Sequence, residues 1–189
     1  MITRSKEKNK KMANFQFIQT QIKDLLVVEP AVMEDARGYF MESYNYDAFA
    51  AVGVPPFVQD NESRSAYGVL RGMHFQINHP QGKLVRVLFG EVFDVAVDLR
   101  KGSASYGEWE GFYLSEENKT MLYVPEGFAH GFAVVSESAV FAYKCTRSYH
   151  PGDEGGFIYN DKSIGIKWPE IRGGFILSEK DKKLPPLNI

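Results

Sequence analysis

From residue 25 to residue 146 the chain is a succession of short runs rich in Val, Phe, Tyr and Leu, each stopped by Gly, Pro, Asn or Asp. Runs of this length favour strands, whose side chains alternate between two faces, over helices, which need a longer apolar stripe. They fall at residues 25–29, 38–44, 57–62, 69–76, 83–89, 92–99, 109–114, 121–124, 131–135 and 139–146. So many strands in regular succession point to an all-β sandwich or barrel. Gly90-Glu91 separates the two clearest runs and is expected to turn or sharply bend the chain. Beyond it Phe93, Val95, Val97 and Leu99 share one face and Asp94, Ala96 and Asp98 the other, which suits an antiparallel sheet with one face packed. Helical turns are expected only at residues 47–52 and 115–119, with Asp47 and Ser115 as N-caps; Asn118 follows Ser115 in place of the acid of a full capping box.

At 189 residues the chain is long enough to bury roughly 70% of its unfolded surface in one core. No linker or repeat divides it, so residues 12–189 are expected to form a single domain. Residues 1–11 carry Arg4, Lys6, Lys8, Lys10 and Lys11 against Glu7 alone, and read as a flexible basic extension. Without them the body has 17 basic and 23 acidic side chains, a net charge of −6. That balance, with no basic stripe, argues against nucleic acid as a partner. No apolar run approaches the roughly 18 residues of a membrane span. The single cysteine, Cys145, rules out an internal disulfide and fits a reducing, cytoplasmic compartment.

Two segments carry the local chemistry. In the first, Gly68 is followed after five residues by His74-Phe75-Gln76; in the second, Pro125-Glu126-Gly127 leads to His130. They resemble the two halves of the cupin signature, which implies a double-stranded β-helix, or jelly-roll barrel. A metal-binding cupin needs several N or O donors converging at about 2 Å. Here Gln76 stands at the place of the second histidine, no glutamate lies between Gln76 and Gly90, and the next candidate is the cation Lys83. No metal and no other cofactor is expected. His74, with an ordinary imidazole pKa near ~6.5, and Tyr143, a phenol near ~10, can instead accept and supply protons.

The longer motifs extend the likeness. Asp35-Ala36-Arg37-Gly38-Tyr39-Phe40-Met41-Glu42-Ser43, Phe57-Val58-Gln59-Asp60-Asn61, Val69-Leu70-Arg71-Gly72-Met73-His74-Phe75-Gln76, Gly82-Lys83-Leu84-Val85-Arg86, Tyr143-Lys144-Cys145-Thr146 and Leu177-Ser178-Glu179-Lys180-Asp181 run in one order along the chain. In that order they resemble the dTDP-4-dehydrorhamnose 3,5-epimerase family from about Leu25 to Lys182. The resemblance implies that His74 is the general base, polarised by Asp181, that Tyr143 is the acid on the opposite side of the sugar, and that Lys83 stabilises the enolate. It implies that Arg37, Glu42, Gln59, Asn61, Arg71, His130, Glu154 and Lys180 surround the nucleotide-sugar, with Tyr149 stacking on thymine. It further implies a dTDP-sugar substrate and a homodimer. A single-centre epimerase of another nucleotide sugar and a binding module without catalysis remain open alternatives. One geometric conflict is visible: Arg71 and His74 have opposite strand parity, and both can face one cavity only if the chain bulges at Gly72.

Overall fold

The computed structural model describes residues 9–12 and 14–187. Its strands are β1 (Asn9–Met12), β2 (Phe15–Gln19), β3 (Leu26–Pro30), β4 (Met33–Asp35), β5 (Gly38–Phe40), β6 (Gln59–Ala66), β7 (Leu70–Gln76), β8 (Lys83–Phe89), β9 (Glu91–Asp98), β10 (Trp109–Ser115), β11 (Met121–Val124), β12 (Phe128–Val134), β13 (Ser138–Cys145) and β14 (Glu154–Gly156). One short helix, α1 (Tyr46–Ala50), and a 3-10 turn at Asp181–Lys183 complete the regular structure. A seven-stranded sheet ordered β1-β2-β3-β11-β8-β13-β6 faces a five-stranded sheet ordered β10-β9-β12-β7-β14, and β4 and β5 form a separate hairpin. The molecule is the expected all-β jelly roll of cupin type.

Gly90 bends the chain sharply, as expected, yet β8 and β9 do not pair with each other. β8 lies between β11 and β13, whereas β9 lies between β10 and β12 in the opposite sheet. Gly90 is therefore the corner between sheets. Its φ is +75°, and a Cβ there would sit 2.0 Å from the Ser138 carbonyl oxygen, so a side chain has no room. The alternation along β9 separates two cores instead of a core from water. Val92 and Ala96 join Val85, Val87, Leu122, Phe128, Phe132 and Phe141 between the sheets. Phe93, Val95 and Val97 pack outside the five-stranded sheet, beneath Phe157, Ile164, Ile166 and Trp168 of the C-terminal segment. The expectation of one packed face is corrected by that segment; burying Phe157 alone contributes about 2–3 kcal/mol.

The N-cap of α1 is Asn45, whose Oδ1 accepts from Ala48 N–H at 3.1 Å; Asp47, the expected cap, lies in the first turn. At Ser115 and Asn118 the capping is reciprocal: each side-chain oxygen accepts the other's backbone N–H, at 3.0 and 3.1 Å, around a single turn. Of the expected basic extension, residues 1–8 lie outside the described residues, and Asn9–Met12 pair with β2 as an edge strand.

The expected bulge is present in β7. His130 pairs with His74 and Phe132 with Arg71, so Gly72 and Met73 together oppose Gly131 alone. Gly72 has φ +130°, and a Cβ on it would lie 2.6 Å from the Gly131 Cα. A Cβ on Gly131 would in turn lie 2.8 Å from the Arg71 carbonyl oxygen. Two glycines back to back allow the extra residue, and the extra residue turns Arg71 and His74 toward the same cavity.

Candidate active site

The two sheets gape where the edge strand β6 faces β7, leaving a cavity of about 560 Å³ lined by Asn61, Arg71, His74, Lys83, His130, Tyr143, Lys180 and Asp181. Its walls come from opposite layers. His74 and His130 project from the five-stranded sheet, while Asn61, Lys83 and Tyr143 project from the seven-stranded one. Asp181 arrives on the C-terminal segment, which is tied to the barrel by the Ile176 N–H bond to the Gly68 carbonyl at 2.8 Å and the Leu70 N–H bond to the Ile176 carbonyl at 3.0 Å.

Asp181 is buried, and its Oδ1 lies 2.6 Å from His74 Nε2. A carboxylate only accepts, so the proton sits on Nε2 and Nδ1 keeps the lone pair. Burial pushes the His74 imidazole below its ordinary value; Asp181 opposes that shift, and the charges of Lys83 and Lys180 add to it. Burial pushes the Tyr143 phenol up, with nearby Arg71 in partial opposition, so the phenol holds its proton at neutral pH. Burial pushes the Lys83 ammonium down. No hydrogen bond or ion pair to another described residue holds that ammonium, which lies 5.9 Å from the Tyr143 ring centre. Its charge is available to a ligand.

Around the rim, Gln59 donates to Asn61 Oδ1 at 3.0 Å and accepts the Tyr149 N–H at 2.8 Å. The Tyr149 hydroxyl donates to Glu154, and Glu154 pairs with Lys180 at 2.7 Å. Arg71 donates to Ser65 Oγ at 3.1 Å. Eleven of the thirteen residues singled out from sequence thus converge on one cavity and its rim. Arg37 and Glu42 do not. Arg37 stands at the tip of the β4–β5 hairpin, paired with Asp35, beside a separate surface recess. Glu42 accepts from Asn14 at 2.8 Å.

Two carboxylates of the site escape a reading of motifs. Asp94 is fully buried on β9, and both its oxygens accept from His130 Nε2, at 3.0 and 2.9 Å. The signal for it was a charged residue inside an otherwise apolar run. Asp153 accepts the backbone N–H groups of Asn78 and His79 and fixes the loop beside Tyr149; these bonds bring its carboxyl down to about 2. The donors of a metal cupin are not reassembled here. The Gln76 amide donates to the His150 carbonyl at 2.8 Å, and Lys83 brings a cation to the site. Among the described residues no group of three or more His, Cys, Asp or Glu side chains is arranged to hold a metal ion.

The sequence profile described as dTDP-4-dehydrorhamnose 3,5-epimerase matches residues 19–188. The chain belongs to the dTDP-4-dehydrorhamnose 3,5-epimerase family. It is 53% identical over 178 residues to the dTDP-4-dehydrorhamnose 3,5-epimerase of Methanothermobacter thermautotrophicus, covering 93% of this chain and 96% of that one. The crystal structure of the Elizabethkingia anophelis enzyme of the same name superposes with a TM-score of 0.88 at 49% identity, over 92% of this chain and 97% of that one. A dTDP-6-deoxy-D-glucose-3,5-epimerase from Legionella pneumophila, solved in complex with dTDP-4-keto-L-rhamnose, superposes with a TM-score of 0.87 at 46% identity, over 93% of this chain and all of that one.

Proposed function

We propose that the protein inverts carbons 3 and 5 of dTDP-4-dehydro-6-deoxy-D-glucose, yielding dTDP-4-dehydro-L-rhamnose. The observation that carries this reading is the opposition of His74 and Tyr143, an imidazole and a phenol on facing sheets across one cavity. Hydrogens next to the 4-keto group become removable when negative charge can spread onto the carbonyl oxygen. His74 takes such a proton at Nδ1, and Asp181 supports the imidazolium that forms. Lys83 meets the enolate oxygen, an interaction stronger in the transition state than in the ground state. Tyr143 returns a proton from the other face, and the carbon is inverted. Side chains of the protein perform every step, with no call on a metal or redox cofactor.

In this reading Arg71 and Lys180 hold the diphosphate, for which their charges are suited. Tyr149, anchored by Gln59 and Glu154, stacks on thymine, worth about 1–3 kcal/mol. Asn61 and His130 bound the sugar. The hairpin that carries Arg37 exposes Met33 (49%), Tyr39 (55%) and Phe40 (64%), an apolar surface suited to a second copy of the chain. In a homodimer Arg37 and Glu42 serve the partner's nucleotide. The free thiol of Cys145 fits a cytoplasmic setting. No helix among the described residues is long and apolar enough to cross a membrane.

The test is incubation with substrate in heavy water. Deuterium is expected at both carbons 3 and 5, and His74→Ala and Tyr143→Phe are expected to lower exchange by roughly 10²- to 10⁴-fold while dTDP still binds. Binding without exchange in the unaltered chain would refute the reading.

A further inference from the structure

Behind the reaction cavity lies a second chamber of about 400 Å³, at the end of the barrel where β7 ends and β8 begins. Its walls include Gln76, Gln81, Leu99 and Phe128, and it reaches the surface beside Ile77 (60% exposed) and Lys101. The two spaces share only Lys83 and His130 among their lining residues. Lys83 therefore borders both, with no hydrogen bond or ion pair from its ammonium to another described residue and the Tyr143 ring centre 5.9 Å away.

A two-centre epimerase has a proton problem that a single-centre one lacks. After the first inversion His74 is an imidazolium and Tyr143 a phenolate; the second inversion needs both reset while the sugar is still bound. The nucleotide-sugar then lies against Tyr143 from the cavity side. We propose that the rear chamber holds water that restores the Tyr143 proton through Lys83 between the two inversions, an inference that rests on the two-centre reading above.

The step balances. A water between the two side chains passes a proton from the Lys83 ammonium to the Tyr143 phenolate and leaves a Lys83 amine; the amine takes a proton back from solvent through the waters of the rear chamber, and His74, 39% accessible, returns one proton to solvent, so the net change is one proton moved from imidazolium to phenolate. Burial lowers the lysine and raises the tyrosine, and both shifts favour transfer from ammonium to phenolate.

The experiment fills the chamber from its outer end with Ile77→Trp and, separately, Lys101→Trp, both at exposed positions. Rapid quenching in heavy water follows deuterium at each carbon, and dTDP binding is measured alongside. The first inversion should stay within about twofold of the unaltered chain, while the second slows by about tenfold or more and the singly inverted sugar accumulates. Unchanged rates in both variants, or equal slowing of both inversions, would overturn the role of the chamber alone. Deuterium at only one carbon in the unaltered chain would overturn the two-centre reading, and this role with it.

Discussion

A histidine that is to take a proton from carbon must be neutral beforehand, and the surroundings of His74 favour that state. Burial and two neighbouring lysines lower its pKa while Asp181 raises it, the net shift being downward. His74 thus stays an available base at pH values where an ordinary histidine is already charged, and activity is lost only as pH falls through the lowered value. The acid limb of kcat/KM is therefore expected below pH ~6.5. Lys180→Met removes a lowering charge and should move the limb up. Asp181→Asn removes the raising influences and should move it down, while kcat falls by about 10²-fold or more because the tautomer is no longer fixed. On the alkaline side burial lowers Lys83 and raises Tyr143, which draws the loss of the lysine proton toward neutral pH and moves that of the tyrosine away from it. Lys83→Arg should shift the alkaline limb upward. A pH–rate profile of the variants measures all three shifts.

At the scale of the element, the bulge in β7 decides whether these side chains meet. Gly72→Ala puts a Cβ 2.6 Å from the Gly131 Cα at a φ of +130°, so the backbone must move. The variant should lose about 3 kcal/mol or more in urea unfolding, and kcat should fall because Arg71 and His74 no longer share a cavity. Gly53→Ala is the control: its φ is also positive, but nothing lies within 4 Å of the added Cβ, so about 1 kcal/mol and no kcat is lost. The bulge could be read from sequence because two residues of opposite parity were both required in one place with a glycine between them. Other features had no such signal. Alternation along β8 and β9 reports which side chains share a face, not which strands pair, so it left a turn and a sharp bend at Gly90 equally open. The C-terminal segment that buries the outer face of β9 contains little regular structure, and no periodicity announces what it covers. Most site residues were readable through motif order, whereas Asp94 needed its partner His130 to be located before a lone acid in an apolar strand acquired a purpose.

The whole molecule raises a question that one chain does not answer alone: thirteen residues were expected around one nucleotide-sugar, and the fold delivers eleven. Arg37 is held on an exposed apolar hairpin beside a recess of its own. If that hairpin completes the site of a second copy, solution mass should be about twice the 21.4 kDa of the chain, and Phe40→Asp should shift it toward one. Complementation is the sharper test. Arg37→Ala and His74→Ala are each expected to be nearly inactive as pure proteins. When the two are co-folded in equal amounts, about half of the dimers are hybrids, and one of the two sites in each hybrid combines an intact His74 with an intact Arg37 from the other chain. Activity should return to about one quarter of the unaltered protein. If Arg37 serves only its own chain, no site in the hybrid is whole, and the mixture stays as inactive as its parts.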